Sequence, residues 1–131
     1  MRILLIGAGG VGSAVVPIAA RRDFFEQIIV ADYDPARARR AVDRAADPRF
    51  LAVPRRVDAA DRAGIEALIR ATRATHVLNA VDPRFVIPIF EAALAADADY
   101  LDLAMSLSRP HPEQPYELPG VKLGDEQFAR A

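Results

Sequence analysis

Short apolar runs alternate with segments of helical periodicity along most of the chain. The first run, Arg2–Ile6, is rich in Ile and Leu and is followed by glycine, a pattern that predicts a fully buried strand. Comparable runs predict four further strands at residues 27–32, 50–57, 75–81 and 99–103. Polar residues flank the run at 50–57, which places that strand near an edge of the sheet.

Segments with apolar residues at helical spacing separate these strands. The predicted helices cover residues 11–22, 35–46, 61–72 and 83–96. Asp34-Pro35 and Asp82-Pro83 each place a carboxylate at a helix N-cap and a proline at the first helical position. In the last helix the inward face is predicted to consist of Val86, Ile89, Phe90, Ala93 and Leu94.

The alternation of strands and helices predicts the fold class. It favours an α/β fold, a doubly wound parallel sheet of strand order 3-2-1-4-5 with helices on both faces. In that order strands one and four are neighbours, and the loops at their carboxyl ends flank the crevice in which such sheets bind ligands. The length of 131 residues, 52% hydrophobic and 27% charged, suits one globular domain.

Charge and composition exclude several classes of function. A net charge of −1 gives no field that would attract nucleic acid or a membrane surface. The chain has no cysteine and two histidines, too few for a metal cluster. Residues 3–20 are uncharged and long enough for a membrane span or a signal peptide, but four glycines interrupt them, each costing about 1 kcal/mol in a helix. We therefore expect a cytoplasmic protein without nucleic-acid, membrane or metal partners.

The glycines themselves form a G-x-G-x-x-G motif in the context that dinucleotide binding requires, with a strand before it and a helix after it. Gly7 is predicted to permit the turn, Gly9 to let the backbone approach a pyrophosphate, and Gly12 to let the helix pack closely on the strand. Gly10 and Val11 lie inside the motif and complete the predicted phosphate contacts at the helix N-terminus.

An acidic residue at the end of the second strand is predicted to bind the adenosine ribose. Asp32 lies 20 residues beyond Gly12 and ends an otherwise apolar strand, whereas Asp34 precedes a proline and is better explained as a helix cap. Because a carboxylate at Asp32 would repel a 2′-phosphate, NAD is favoured over NADP. Arg37, Arg39 and Arg40 on the following helix leave NADP open as the less favoured cofactor.

Further polar residues follow other predicted strands. Asp58 could lie beside the adenine edge or simply cap a turn. Asn79 and Ala80 follow strand four at the nicotinamide end, where Asn79 could orient the nicotinamide ribose or a substrate, or act only as a turn residue. Asp102 ends strand five, and His76 begins strand four at the opposite end of the sheet. None of these is persuasive as a proton donor or acceptor, so no catalytic residue is assigned.

The segments ILLIGAGGVG, VLNAVDPRF, ALAADADYLDLA and GVKLGDEQFARA together resemble the N-terminal half of saccharopine dehydrogenase-like oxidoreductases. The resemblance covers essentially the whole chain and implies hydride transfer between a nicotinamide cofactor and a C–N bond of an amino-acid-type substrate. It also implies that Gly7, Gly9, Gly12 and Asp32 contact the cofactor and that Asn79 and Ala80 line the site. Family members continue into a second domain that supplies most substrate contacts.

The resemblance predicts how the chain is organised. Residues 1–105 would form the dinucleotide-binding domain, and the proline-rich residues 106–131, with a helix beginning near Asp125, would lead towards an absent substrate domain. This fragment is then expected to bind cofactor without catalytic activity of its own, with a homodimer as a candidate assembly. The alternatives are a stand-alone nucleotide-sensing module like the regulatory domains of potassium channels, and a scaffold whose glycines serve packing alone.

Overall fold

The chain forms a five-stranded sheet and five α-helices in the part that the computed structural model describes, which is residues 1–103, 113–114, 116–118 and 124–130. The strands are β1 Arg2–Ile6, β2 Gln27–Ala31, β3 Phe50–Ala52, β4 His76–Asn79 and β5 Asp99–Asp102. The helices are α1 Gly10–Ala19, α2 Pro35–Ala45, α3 Arg62–Thr72, α4 Val86–Ala95 and α5 Asp125–Phe128. A 3₁₀ turn, Pro83–Phe85, precedes α4.

The strands are all parallel and lie in the order β3-β2-β1-β4-β5, which confirms the predicted fold. In the register of the sheet, Ile6 lies opposite Ala31 on one side and opposite Asn79 on the other, and Asn79 lies opposite Asp102. The last residues of β1, β2, β4 and β5 therefore lie next to one another at one end of the sheet, and the loops that follow these strands are adjacent.

Alternation along β1 divides the core between the two faces of the sheet. Leu4 and Ile6 are buried with the apolar residues of α3 and α4, whereas Leu5 is buried with those of α1 and α2. A strand whose side chains are buried on both faces must be apolar throughout, which explains the uninterrupted hydrophobic run from Ile3 to Ile6.

Aspartates cap the starts of three helical segments. The carboxylate of Asp34 accepts the Ala36 N–H at the start of α2, and that of Asp61 accepts the Gly64 N–H at the start of α3. Asp82 accepts the N–H of Arg84 in the 3₁₀ turn. The predicted caps at the two Asp-Pro pairs are thus confirmed.

Several predicted boundaries differ from the observed ones. β3 stops at Ala52 instead of residue 57, because the chain leaves the sheet after the Val53 N–H donates to the Val30 carbonyl oxygen, and it returns to β2 only where the Val57 N–H donates to the Asp32 carbonyl oxygen. Helix α1 spans Gly10–Ala19 instead of 11–22. The prediction that Leu94 faces inward is wrong: it is 41% exposed, because it lies on the side of α4 that lines a surface cavity with Phe90 and Phe128.

The C-terminal segment is only partly described. The helix predicted near Asp125 is present as α5, and Arg130 beyond it pairs with Glu91 of α4 at 2.7 Å. Most of the predicted exit segment, including Ser106 and His111, lies outside the described residues. Within the described ranges, none of the helices is long and apolar enough to cross a membrane.

Candidate functional site

The loop after β1 turns sharply at Gly7, and at this turn it contacts the loop after β4. Gly7 has a φ of +102°, a conformation that L side chains rarely adopt. A Cβ atom on Gly7 would lie 2.7 Å from Val81 Cγ1 and 2.8 Å from the Ala80 carbonyl oxygen. Glycine is therefore required at this position by both the turn and the neighbouring backbone.

The other two glycines of the motif have opposite surroundings. A Cβ atom on Gly12 would lie 1.8 Å from the Gly7 carbonyl oxygen, so Gly12 allows α1 to pack directly on the turn. A Cβ atom on Gly9 would meet nothing within 4 Å, and the same holds for Gly10. Gly9 and Gly10 thus lie beside open space, into which a ligand can approach the backbone.

The N-terminus of α1 has no side-chain cap. Gly9 occupies the N-cap position without a side-chain hydrogen bond, in contrast to the aspartate-capped α2 and α3. The first backbone N–H groups of a helix have no intrahelical acceptor and carry partial positive charge. The first turn of α1, which contains Gly10 and Val11, can therefore donate hydrogen bonds to an anion.

Asp32 joins the glycine loop to the loop after β2. Its Oδ2 accepts the Ala8 N–H at 2.6 Å and its Oδ1 accepts the Asp34 N–H at 2.8 Å, and the residue is only 7% exposed. A carboxylate has about four acceptor positions, so each oxygen of Asp32 retains a lone pair. A buried carboxylate with two backbone donors is a rigid acceptor at this point.

A cavity of about 380 Å³ opens between these loops. It is lined by Ile6, Gly7, Gly9, Asp32, Tyr33, Arg37, Val57, Asp58, Ala59, Ala80, Val81 and Phe85. The structure thus brings five of the predicted site residues together: Gly7, Gly9, Asp32, Asp58 and Ala80. Gly10, Val11, Gly12 and Asn79 do not line this cavity, although Gly10 lines an adjoining polar groove.

Asp58 and Tyr33 line one end of the cavity, and Arg56, which does not line it, contacts both of them. Asp58 accepts the Ala60 N–H at 3.0 Å and pairs with Arg56 at 3.1 Å, and these two hydrogen bonds lower the pKa of its carboxyl group. The Arg56 guanidinium lies 3.7 Å from the centre of the Tyr33 ring. An aromatic ring, a guanidinium and a carboxylate are therefore linked at the end of the cavity next to β2 and β3.

Asn79 is fully buried, and both ends of its amide have protein partners. Its Nδ2 donates to the Tyr100 hydroxyl at 2.9 Å, and its Oδ1 accepts the Val81 N–H at 3.0 Å. Burial raises the pKa of Tyr100 well above its usual value, so the phenol keeps its proton. Asn79 acts on the cavity through the backbone of Val81 and not through direct exposure.

Tyr33 and Phe85 were not predicted as site residues, and Arg37 was predicted only as one of several basic residues on the second helix. Tyr33 directly follows Asp32 at the carboxyl end of a strand, and that position was the available signal. Phe85 reaches the cavity from the 3₁₀ turn, which the pattern had predicted as ordinary helix. Arg37, Arg40 and Arg44 line the adjoining groove together with Gly9 and Gly10.

Residues at the amino ends of the strands lie far from the cavity, which is at the carboxyl ends. His76 begins β4, as predicted, and lies 3.2 Å from Asp99 at the start of β5. Among the described residues, no three His, Cys, Asp or Glu side chains come together as metal ligands.

The fold and this cavity define a class of protein. A parallel sheet of this order, a glycine turn, an uncapped helix start and an acid after β2 make the chain a Rossmann-type dinucleotide-binding domain. The family described as saccharopine dehydrogenase NADP binding domain matches residues 3–127, and the chain belongs to that family.

Solved structures share the fold at low sequence identity. Apo saccharopine dehydrogenase (L-Glu forming) from Saccharomyces cerevisiae is 18% identical over 83% of this chain, with a TM-score of 0.64. Prephenate dehydrogenase from A. aeolicus, in complex with hydroxyphenyl propionate and NAD+, is 17% identical over 83%, with a TM-score of 0.61. This chain spans only 22% and 35% of those two proteins, respectively. No curated protein sequence matches it.

Proposed function

We propose that this chain is the cofactor-binding domain of an NAD(P)-dependent oxidoreductase that acts on a CH–NH bond of an amino-acid-type substrate. The observation that carries the cofactor assignment is the cavity that joins the glycine turn, the uncapped start of α1 and the buried Asp32. Membership of the saccharopine dehydrogenase family supports the substrate class. It also favours this function over a stand-alone nucleotide-sensing module.

In this proposal each end of the dinucleotide has its own contacts. The N–H groups of Gly10 and Val11 bind the pyrophosphate, which approaches through the open space beside Gly9. Asp32 accepts hydrogen bonds from the adenosine ribose, and Asp58 lies at the adenine edge. Ala80, across β1 from β2, contacts the nicotinamide end.

The cofactor supplies hydride transfer, and the chain's own residues bind and orient it. Gly7 and Gly12 set the distance between α1 and β1, and Phe85 and Val57 exclude water from the cavity wall. At the carboxyl ends of β4 and β5 the described part of the chain offers Asp82 and Asp102 as titratable side chains. The hydrogen bond from the Arg84 backbone lowers the pKa of Asp82, so this carboxyl group is poorly matched to proton transfer near neutral pH.

We propose further that NAD is bound in preference to NADP. Two negative charges 4 Å apart repel each other by about 4 kcal/mol at the dielectric typical of protein surfaces. A 2′-phosphate beside Asp32 would meet that repulsion, whereas the ribose hydroxyls of NAD donate to the carboxylate.

Two observations favour NADP instead. Arg37 lines the same cavity as Asp32, and the family description names NADP. Arg37 and Arg40 each lie 3.8 Å from Asp34, which partly offsets their charge in the absence of a ligand.

Calorimetric titration of NAD+ and NADP+ into the wild type and an Asp32→Asn variant separates these alternatives. We expect the wild type to bind NAD+ at least about tenfold more tightly, and Asp32→Asn to lose most of that preference. Asp43→Asn is the matched control, because it removes the same charge from the outer face of α2, where Asp43 pairs with Arg39. Tighter NADP+ binding by the wild type, abolished by Arg37→Gln, would reverse the assignment.

A further inference from the structure

The amide of Asn79 connects β5 to the loop that lines the cavity. Its Nδ2 donates a hydrogen bond to the Tyr100 hydroxyl, and its Oδ1 accepts one from the Val81 N–H. Asn79 is fully buried and Tyr100 is partly buried, so a lost bond between them cannot be replaced freely by water. The position of Val81 therefore depends on a side chain two strands away from the glycine turn.

Val81 and Ala80 lie in direct contact with that turn. Val81 Cγ1 and the Ala80 carbonyl oxygen occupy the space where a Cβ atom on Gly7 would stand, at 2.7 and 2.8 Å. Both residues line the cavity together with Gly7. A small displacement of the backbone at 80–81 consequently changes the cavity wall beside the glycine turn.

The Val81 N–H fixes which way the Asn79 amide faces, and the Tyr100 hydroxyl accepts from the other end of that amide. A rotated amide would direct its NH2 group at the Val81 N–H, placing two donors against each other. The Tyr100 hydroxyl has acceptors for its own proton in Asp102 and in the Val86 carbonyl oxygen, which is 3.5 Å away. Its lone pair is then available to the Asn79 NH2 group, and Oδ1 faces Val81.

We propose that Tyr100 is a positioning residue for the nicotinamide ring of the cofactor, acting through Asn79 on the backbone of Ala80 and Val81. This inference rests on the proposed function, in which Ala80 contacts the nicotinamide end. Tyr100 does not line the cavity itself. We expect its effect to be larger at the nicotinamide ring than at the adenosine ribose, because β4 and β5 lie on the opposite side of β1 from β2 and Asp32.

The test compares NAD+ with ADP-ribose, which lacks only the nicotinamide, in the wild-type chain and in Tyr100→Phe. The bond between Tyr100 and Asn79 lies inside the protein, so the free energy of one neutral hydrogen bond limits its indirect effect on affinity to about three- to tenfold. We expect Tyr100→Phe to weaken NAD+ binding within that limit, by about threefold or more, and to leave the dissociation constant for ADP-ribose within about twofold of the wild type. A purely structural role of Tyr100 would weaken the affinity for both ligands by the same factor.

Phe90→Leu is the matched control. The Phe90 ring packs edge-on against Tyr100 with centroids 5.6 Å apart, so this change disturbs the same packing and keeps the hydroxyl. It should lower the melting temperature while the ratio of the two dissociation constants stays at the wild-type value.

Amide NMR of the wild type keeps the proposal testable if Tyr100→Phe does not fold. We expect the Val81 N–H and Asn79 side-chain signals to shift with NAD+ and to shift much less with ADP-ribose. Equal shifts with both ligands, or parallel loss of both affinities in Tyr100→Phe, would overturn the role of Tyr100. Absence of NAD+ and NADP+ binding by the wild type would instead overturn the proposed function, and this inference with it.

Discussion

The three glycines of the G-x-G-x-x-G motif lack a side chain for three different structural reasons. Gly7 adopts a positive φ, Gly12 lies against a carbonyl oxygen, and Gly9 borders open space with an extended backbone of φ −72° and ψ −156°. The spacing of the glycines predicted these separate purposes, because the motif implies a turn, a close helix and an approach for a ligand. The distances decide how each glycine will respond to substitution.

Gly9→Val and Gly12→Ala should therefore fail in different ways. Gly9→Val should keep the fold, because its backbone accepts an L residue and its Cβ meets nothing, yet abolish dinucleotide binding by filling the space beside the helix N-terminus. Gly12→Ala should lower the free energy of unfolding by about 1–3 kcal/mol or more, since its Cβ would lie 1.8 Å from the Gly7 oxygen.

Thermal unfolding and calorimetric titration of both variants provide the measurement. Normal dinucleotide binding by Gly9→Val would mean that the phosphate site lies elsewhere. An unfolded Gly9→Val would assign that glycine to the fold.

At the scale of elements, the helix starts divide into capped and open ones. Asp34 and Asp61 satisfy backbone donors of α2 and α3, whereas α1 begins at glycine and leaves its first donors for an anion. The Asp-Pro pairs were recognisable from sequence because capping is a local interaction. The end of β3 was not recognised, since a run of β-forming residues says nothing about where a partner strand stops offering hydrogen bonds.

Asp61→Ala tests the capping of α3 without affecting the cavity. Loss of the 3.0 Å bond to the Gly64 N–H should cost about 1 kcal/mol of stability and lower the melting temperature by a few degrees. Cofactor affinity should not change, because Asp61 is not among the cavity residues. Asp61→Asn, which can still cap, is the control, and an equal loss of stability in both variants would contradict the explanation.

At the scale of the whole molecule, this domain covers a minor part of its structural relatives. It spans 22% of the yeast saccharopine dehydrogenase chain and 35% of the prephenate dehydrogenase chain. Carboxylate recognition usually requires an arginine fork. Arg84, near the carboxyl edge, is largely exposed and pairs with Asp82 at 3.1 Å.

We therefore expect these 131 residues to bind cofactor without turning over substrate. The measurement supplies NAD+ or NADP+ with saccharopine, lysine or carboxynorspermidine and follows the absorbance of the reduced cofactor. Calorimetric binding of the cofactor in the same preparation is the control for a folded domain. Steady turnover would show that the active site is complete within this chain.

Local patterns determined the strand and helix order, the two Asp-Pro caps and the glycine turn, because each depends on residues a few positions apart. Tertiary structure alone decided what lies beside those elements. It buried Asn79 against Tyr100, 21 residues away, and left Leu94 exposed on a helix whose apolar run is wider than its contact with the sheet. It also brought Tyr33, Arg37 and Phe85 to the cavity, since their positions follow from how separate loops meet at one edge of the sheet.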